Sequence, residues 1–217
     1  MCFSATVSFI AGASLSLVGL LSISYAQSLK QRMIAAIPLS FGIQQIAEGI
    51  VWKGIEARSD MFVSYGAYTY LFFAFFFWPV WIPLTMRTIE SHAARRSVLT
   101  LFLLMGAGLG TYLMYQVSTY GIIVRMTDCH IMYAIALATQ TYFVQMIIYL
   151  LATVVPFFIV LNSRINIMGI AMTFSYLLTY LFYITTFVSV WCFFAAIISF
   201  FAVWVIAGLQ PIQRRKR

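Results

Sequence analysis

Charge is what this sequence has least of. Only 8% of its 217 residues are charged, where a soluble domain averages about 25%. The charged residues come in short clusters between long apolar runs, which excludes a separate soluble domain. Acids are scarcer still, with five Asp and Glu against thirteen Lys and Arg. Three cysteines are an odd number, so a complete set of disulfides is impossible. No Cys-x-x-Cys or His-x-x-x-His spacing occurs, and there is neither an internal repeat nor a low-complexity segment.

What the chain has instead is apolar length. Hydrophobic residues make up 63% of it, in runs of about the 20 residues that carry a helix across the hydrocarbon layer. The class is all-α: a polytopic membrane protein of seven transmembrane helices. The runs cover about Cys2–Ala26, Met33–Gly54, Met61–Met86, Ser97–Val117, Thr139–Leu161, Ile165–Thr186 and Phe187–Leu209. A longer connection, Ser118–Ala138, separates the fourth run from the fifth. Together they form one domain over 1–217, closed by a basic cytoplasmic tail at 210–217.

The net charge of +8 is no nucleic-acid signal, because the basic residues sit at span ends, where they meet anionic lipid. With seven spans, one side receives Lys30, Arg32, Arg87, Arg95, Arg96, Arg164 and the four basic residues of the tail. The other receives Lys53, Arg58 and Arg125. Ten against three places the N-terminus outside and the C-terminus inside. Ser24-Tyr25-Ala26 has the small-residue look of a signal-peptide cleavage site, but no basic region precedes the first run. Gly106-Ala107-Gly108-Leu109-Gly110 has no strand before it and lies in an apolar helix, so Gly106 and Gly110 read as a helix-packing face. None of the three lysines, Lys30, Lys53 and Lys216, lies in the middle of span 7, which speaks against a retinal Schiff base. Trp52, Trp78, Trp81 and Trp191 stand near span ends, as in an aromatic belt.

This topology gathers ligand-type residues in one outer layer. Glu48 is the only acid inside a span, about 7 Å below the outer end at 1.5 Å per residue. Cys192 lies at a similar depth in span 7, Cys2 at the outer tip of span 1, and Cys129 and His130 in the outer connection. If Met1 is removed, Cys2 offers both a thiol and an amine. Gln44 and Gln45 precede Glu48 by four and three residues, share its helical face, and are placed to hold its carboxylate by hydrogen bonds. Span 6 carries a stripe of Tyr176, Thr179, Tyr180 and Tyr183.

Thiolate, imidazole and carboxylate are the ligands of a transition metal, zinc before copper. The expected metal set is Cys2, Glu48, Cys129, His130 and Cys192. With three ligands and an open position, bound water would be activated and Glu48 would act as catalytic base. With four, the metal would be structural. Other readings stay open: a Cys129–Cys192 disulfide, a proton- or cation-coupled transporter using Glu48, and a structural or accessory subunit without chemistry.

Several blocks also carry a resemblance: Met1-Cys2-Phe3-Ser4-Ala5-Thr6-Val7-Ser8-Phe9, then Phe41 to Trp52, Phe77 to Leu84, and Phe187 to Ala196. The combination resembles a family of bacterial multipass membrane proteins of unknown function. The resemblance implies a seven-span fold in a bacterial inner membrane and marks Cys2, Glu48, His130 and Cys192 as motif positions. The family has a His-His pair where this chain has Cys129-His130. It implies no reaction, and the expected partners are the lipid bilayer and an undefined small molecule, not nucleic acid.

Overall fold

A computed structural model describes residues 4–127, 130–136 and 142–209. The fold is all-α apart from one β-hairpin. Its helices are α1 (Ala5–Tyr25), α2 (Leu29–Glu56), α3 (Asp60–Leu71), α4 (Trp78–Ile89), α5 (Ala93–Tyr120), α6 (Tyr142–Thr153), α7 (Pro156–Ile159), α8 (Ser163–Phe182), α9 (Phe187–Ile198) and α10 (Phe201–Gly208). A π-helical segment, Phe72–Phe77, joins α3 to α4. Strands β1 (Ile122–Thr127) and β2 (His130–Ile135) pair antiparallel, Thr127 opposite His130.

Five continuous helical stretches are long and apolar enough to cross a membrane: α1, α2, α3 through α4, α5 and α8. The α9–α10 pair, bent by 42°, makes a sixth if taken as one span. The expected fifth span, Thr139–Leu161, is broken near Pro156, and its helical part, Phe143–Ile159, is shorter than the others. Proline explains the break, since it lacks the N–H that would continue the ladder. The expected seventh span, Phe187–Leu209, bends at Ser199, whose hydroxyl bonds back to the Ala196 carbonyl at 2.6 Å. Side-chain competition of this kind bends helices.

Helix α2 is the hub, its residues buried along much of its length, while α1 lies outside it and leaves Ile10, Leu17, Leu20 and Leu21 exposed. Small residues set the α1–α2 approach. A Cβ on Gly12 would stand 2.6 Å from the Ile46 side chain, and one on Gly19 would strike Leu39.

The π segment has a cause in the sequence. The Trp78 N–H bonds the Phe73 carbonyl five residues back. Pro79 has no N–H to offer either Ala74, five residues back, or Phe75, four back. The Tyr149 hydroxyl of α6 donates to the Ala74 carbonyl instead, at 2.5 Å. Gly110 and Gly106 of α5 let that helix close on this stretch. A Cβ on Gly110 would stand 3.0 Å from the Phe75 carbonyl oxygen, and one on Gly106 would strike the Pro79 carbonyl. The packing face expected at these two glycines is present.

The end opposite the hairpin is closed by charge. Glu90, just past α4, accepts from the backbone N–H groups of Ser91 and His92, both at 2.8 Å. It also accepts from Arg95 through Nε at 2.8 Å and Nη2 at 3.0 Å. Lys30 donates to the Ile89 carbonyl at 3.0 Å. Arg164 caps the same end, donating to the Trp204 carbonyl at 2.6 Å, its guanidinium 4.9 Å from the Trp204 ring centre.

Candidate functional site

Helical spacing puts Gln44, Gln45 and Glu48 on one side of α2, and the fold turns that side fully inward. The Glu48 carboxylate accepts from the Ser189 hydroxyl of α9 at 2.5 Å. Gln44 accepts from the Trp78 indole at 2.7 Å, and Phe41 stacks on that indole at 3.8 Å between ring centres. The rest of the polar inventory is under-satisfied. Among the described residues, the Gln44 Nε2, both amide atoms of Gln45, the Trp52 indole N–H and the Tyr133 hydroxyl are buried and find no hydrogen-bond partner. Buried polar groups are nearly always paired, so this many unpaired atoms on and around one face distinguish it from ordinary core.

Two phenols flank the carboxylate. Tyr70 of α3 donates to the Val188 carbonyl at 3.2 Å and stacks on Tyr133 of β2, ring centres 4.8 Å apart. Burial, then the charges of Glu48 and Cys192, push the Tyr133 phenol well above its usual range. Tyr133 and Cys192 share one buried cluster and one cavity wall.

Helices α1, α2, α3, α5 and α9, the π segment and β2 all meet here. Ala5 of α1, Ala47 and Val51 of α2, Ile131 and Tyr133 of β2, and Val190 and Cys192 of α9 pack in one buried cluster. These are near neighbours in sequence of the expected site positions, or those positions themselves. His130 is buried, its ring 5.1 Å from that of Tyr183. Cys192 is buried and free, against the Cys129–Cys192 disulfide. Among the described residues, no three His, Cys, Asp or Glu side chains come together as a metal site. Cys2 and Cys129 lie outside the described residues, as does the basic tail at 210–217.

Beside the cluster is a cavity of about 400 Å³, bounded by the π segment, β2, α6 and the start of α9. Cys192, Tyr133 and Val188 form part of its wall, while Glu48 sits behind that wall on Ser189. Tyr149, Trp191 and Cys192 separate it from a second cavity of about 30 Å³ deeper in the bundle.

Sequence reasoning missed Ser189, Tyr70, Tyr133 and Tyr149. Ser189 stood in the Phe187–Ala196 block and is one helical turn before Cys192, so α-helical spacing alone would have put it on the thiol's face. Tyr133 needed the hairpin, and Tyr149 needed the π segment. The tyrosine stripe of α8 divides: Tyr176 is buried and packs edge-on to Trp191, whereas Tyr180 is exposed.

The chain matches a family model described as a family of unknown function (DUF6629) over residues 1–216, and it belongs to that family. Neither curated proteins nor solved structures include a match to this chain.

Proposed function

We propose that this member of the family is a seven-span protein of a bacterial inner membrane, N-terminus outside, and that it works through a small-ligand site at its outer end. In this reading α6–α7 and α9–α10 are the fifth and seventh spans. Glu48 is the group that exchanges a proton with the bound molecule, Ser189 holds it in place, and Gln44 and Gln45 present polar atoms beside it. One observation carries the reading: a fully buried carboxylate that accepts from the Ser189 hydroxyl and lies beside Gln45, on a helix face where, among the described residues, amide atoms stay unpaired. A purely structural acid would be expected to have its acceptor capacity filled.

The test needs no knowledge of the ligand. Infrared difference spectra on acidification of the purified protein should show a buried-carboxyl C=O band that is missing from Glu48→Gln. Identical spectra for wild type and variant would overturn the role given to Glu48.

A metal at this end is a second reading, favoured by the convergence of α1, α2, β2 and α9 in one cluster. Its ligands would be Cys2, His130 and Cys192, with Glu48 and Cys129 as further donors and zinc before copper. Metal content per chain, in protein purified without a histidine tag, should be near one and fall in His130→Ala. Metal-free, well-folded wild type would remove this reading and leave the first intact.

A further inference from the structure

The large cavity narrows the class of ligand. Among the described residues, no charged side chain lines it. An ion entering would lose its hydration with no opposite charge on the described wall to balance it, which is strongly unfavourable. The occupant is therefore neutral. Five aromatic rings, Phe75, Tyr133, Tyr149, Phe187 and Trp191, share the wall. Trp191 sits at the centre of this group, 5.6 Å from both Tyr149 and Phe187 between ring centres. A saturated chain would find the same burial against aliphatic side chains, whereas ring walls add offset-stacked and edge-on contacts for a flat guest. Gln145, Thr185 and Cys192 bring amide, hydroxyl and thiol groups to the wall, and these suit oxygen acceptors on the guest. About 400 Å³ lies within the usual range of small-molecule sites. It exceeds the roughly 150 Å³ that holds benzene in a protein core, which leaves room for ring substituents. The exposed Phe143, Val144 and Ile147 on the adjoining α6 place the hydrocarbon phase next to the cavity.

We propose that this cavity binds a neutral, lipid-soluble molecule with a flat conjugated ring carrying oxygen acceptors, of the quinone type. The proposal rests on reading the outer end as a small-molecule site. It concerns binding alone and involves no electron transfer.

The test is tryptophan fluorescence of the full chain in detergent, titrated with decylubiquinone. Trp191 in the wall is one of five tryptophans, and the saturable part of the quenching should be missing from Trp191→Phe. Saturable quenching is expected, with at least a tenfold loss of apparent affinity in Ala134→Phe, which fills the cavity from β2. Dodecanol, which has chain length without a ring, should not compete, and neither should the charged laurate. Should Ala134→Phe fail to fold, Met146→Trp fills the cavity from α6 and should show the same loss. Quenching that only rises linearly, alike in wild type and filled variant, would overturn the proposal. Equal competition by dodecanol would also overturn it, by showing apolar volume without ring recognition. Saturable binding without the Glu48 infrared band would sink the role of Glu48 alone, and the band without binding would sink the ligand class alone.

Discussion

Two buried glutamates, one near each end of the bundle, receive opposite treatment. Glu90 is wrapped by two backbone N–H groups and a two-pronged Arg95. Glu48 accepts from the Ser189 hydroxyl, with amide atoms near it on α2 that are unpaired among the described residues. The donors around Glu90 hold its carboxyl down, from its ordinary 4.5 to about 2, with the bond from Arg95 as the largest cause. The first acid fastens a connection together. The second is less fully bonded in the place where leaving it so costs most, which is what the proposed site role requires.

The isosteric change Glu→Gln at both positions tests that contrast, and the larger effect is expected at the clasp. Glu90→Gln removes charge-assisted bonds to Arg95 and should cost about 2 kcal/mol of stability, seen as a lower midpoint of thermal unfolding in detergent. A negligible shift would mean that the clasp braces nothing. Acid should act through the same group. Because its folded value is depressed, Glu90 contributes fully above about pH 4.5 and loses its contribution as pH falls towards 2. The midpoint of Glu90→Gln should therefore vary less with pH over that window than that of wild type.

Next in size is Tyr149→Phe at the cavity, which strands the Ala74 carbonyl and should cost about 1.5 kcal/mol. An unchanged midpoint there would show that the π segment satisfies itself. Smallest is Glu48→Gln, which keeps the shape and an acceptor for Ser189 and should change stability by less than about 0.5 kcal/mol. A loss at Glu48 as large as at Glu90 would erase the distinction and return Glu48 to a structural role.

Much of the Glu48 end was legible before any coordinates. Gln44, Gln45 and Glu48 declare a shared face by spacing alone, and a lone acid in an apolar run declares that it must turn inward. Its partner could not be read, because Ser189 is 141 residues away and serines are common in apolar helices. The hairpin reads in sequence only as a connection, because the mixed, partly charged stretch after α5 breaks the helical pattern without suggesting a partner strand. Its signals were Gly121, which adopts a positive φ of 76°, and the β-branched Ile122, Ile123 and Val124 after it. The π segment was invisible in Phe72–Phe77, which reads as plain helix. Only the proline that follows hints that carbonyls there lose their donors. Seven apolar runs were countable, but breaks such as those at Pro156 and Ser199 depend on local hydrogen bonding that hydropathy does not register.

The bond between Glu48 and Ser189 also sets a schedule. α2 leaves the ribosome before α9, and the Ser189 hydroxyl that its carboxylate accepts from is not made until the chain has grown by another 141 residues. At about 5–20 residues per second, that interval is on the order of ten to thirty seconds. Throughout it, the hub of the bundle carries an acid and two glutamines on a face that only later helices will cover. Native assembly around α2 therefore completes late, and a chain truncated before α9 would leave that face open to the insertion and quality-control machinery.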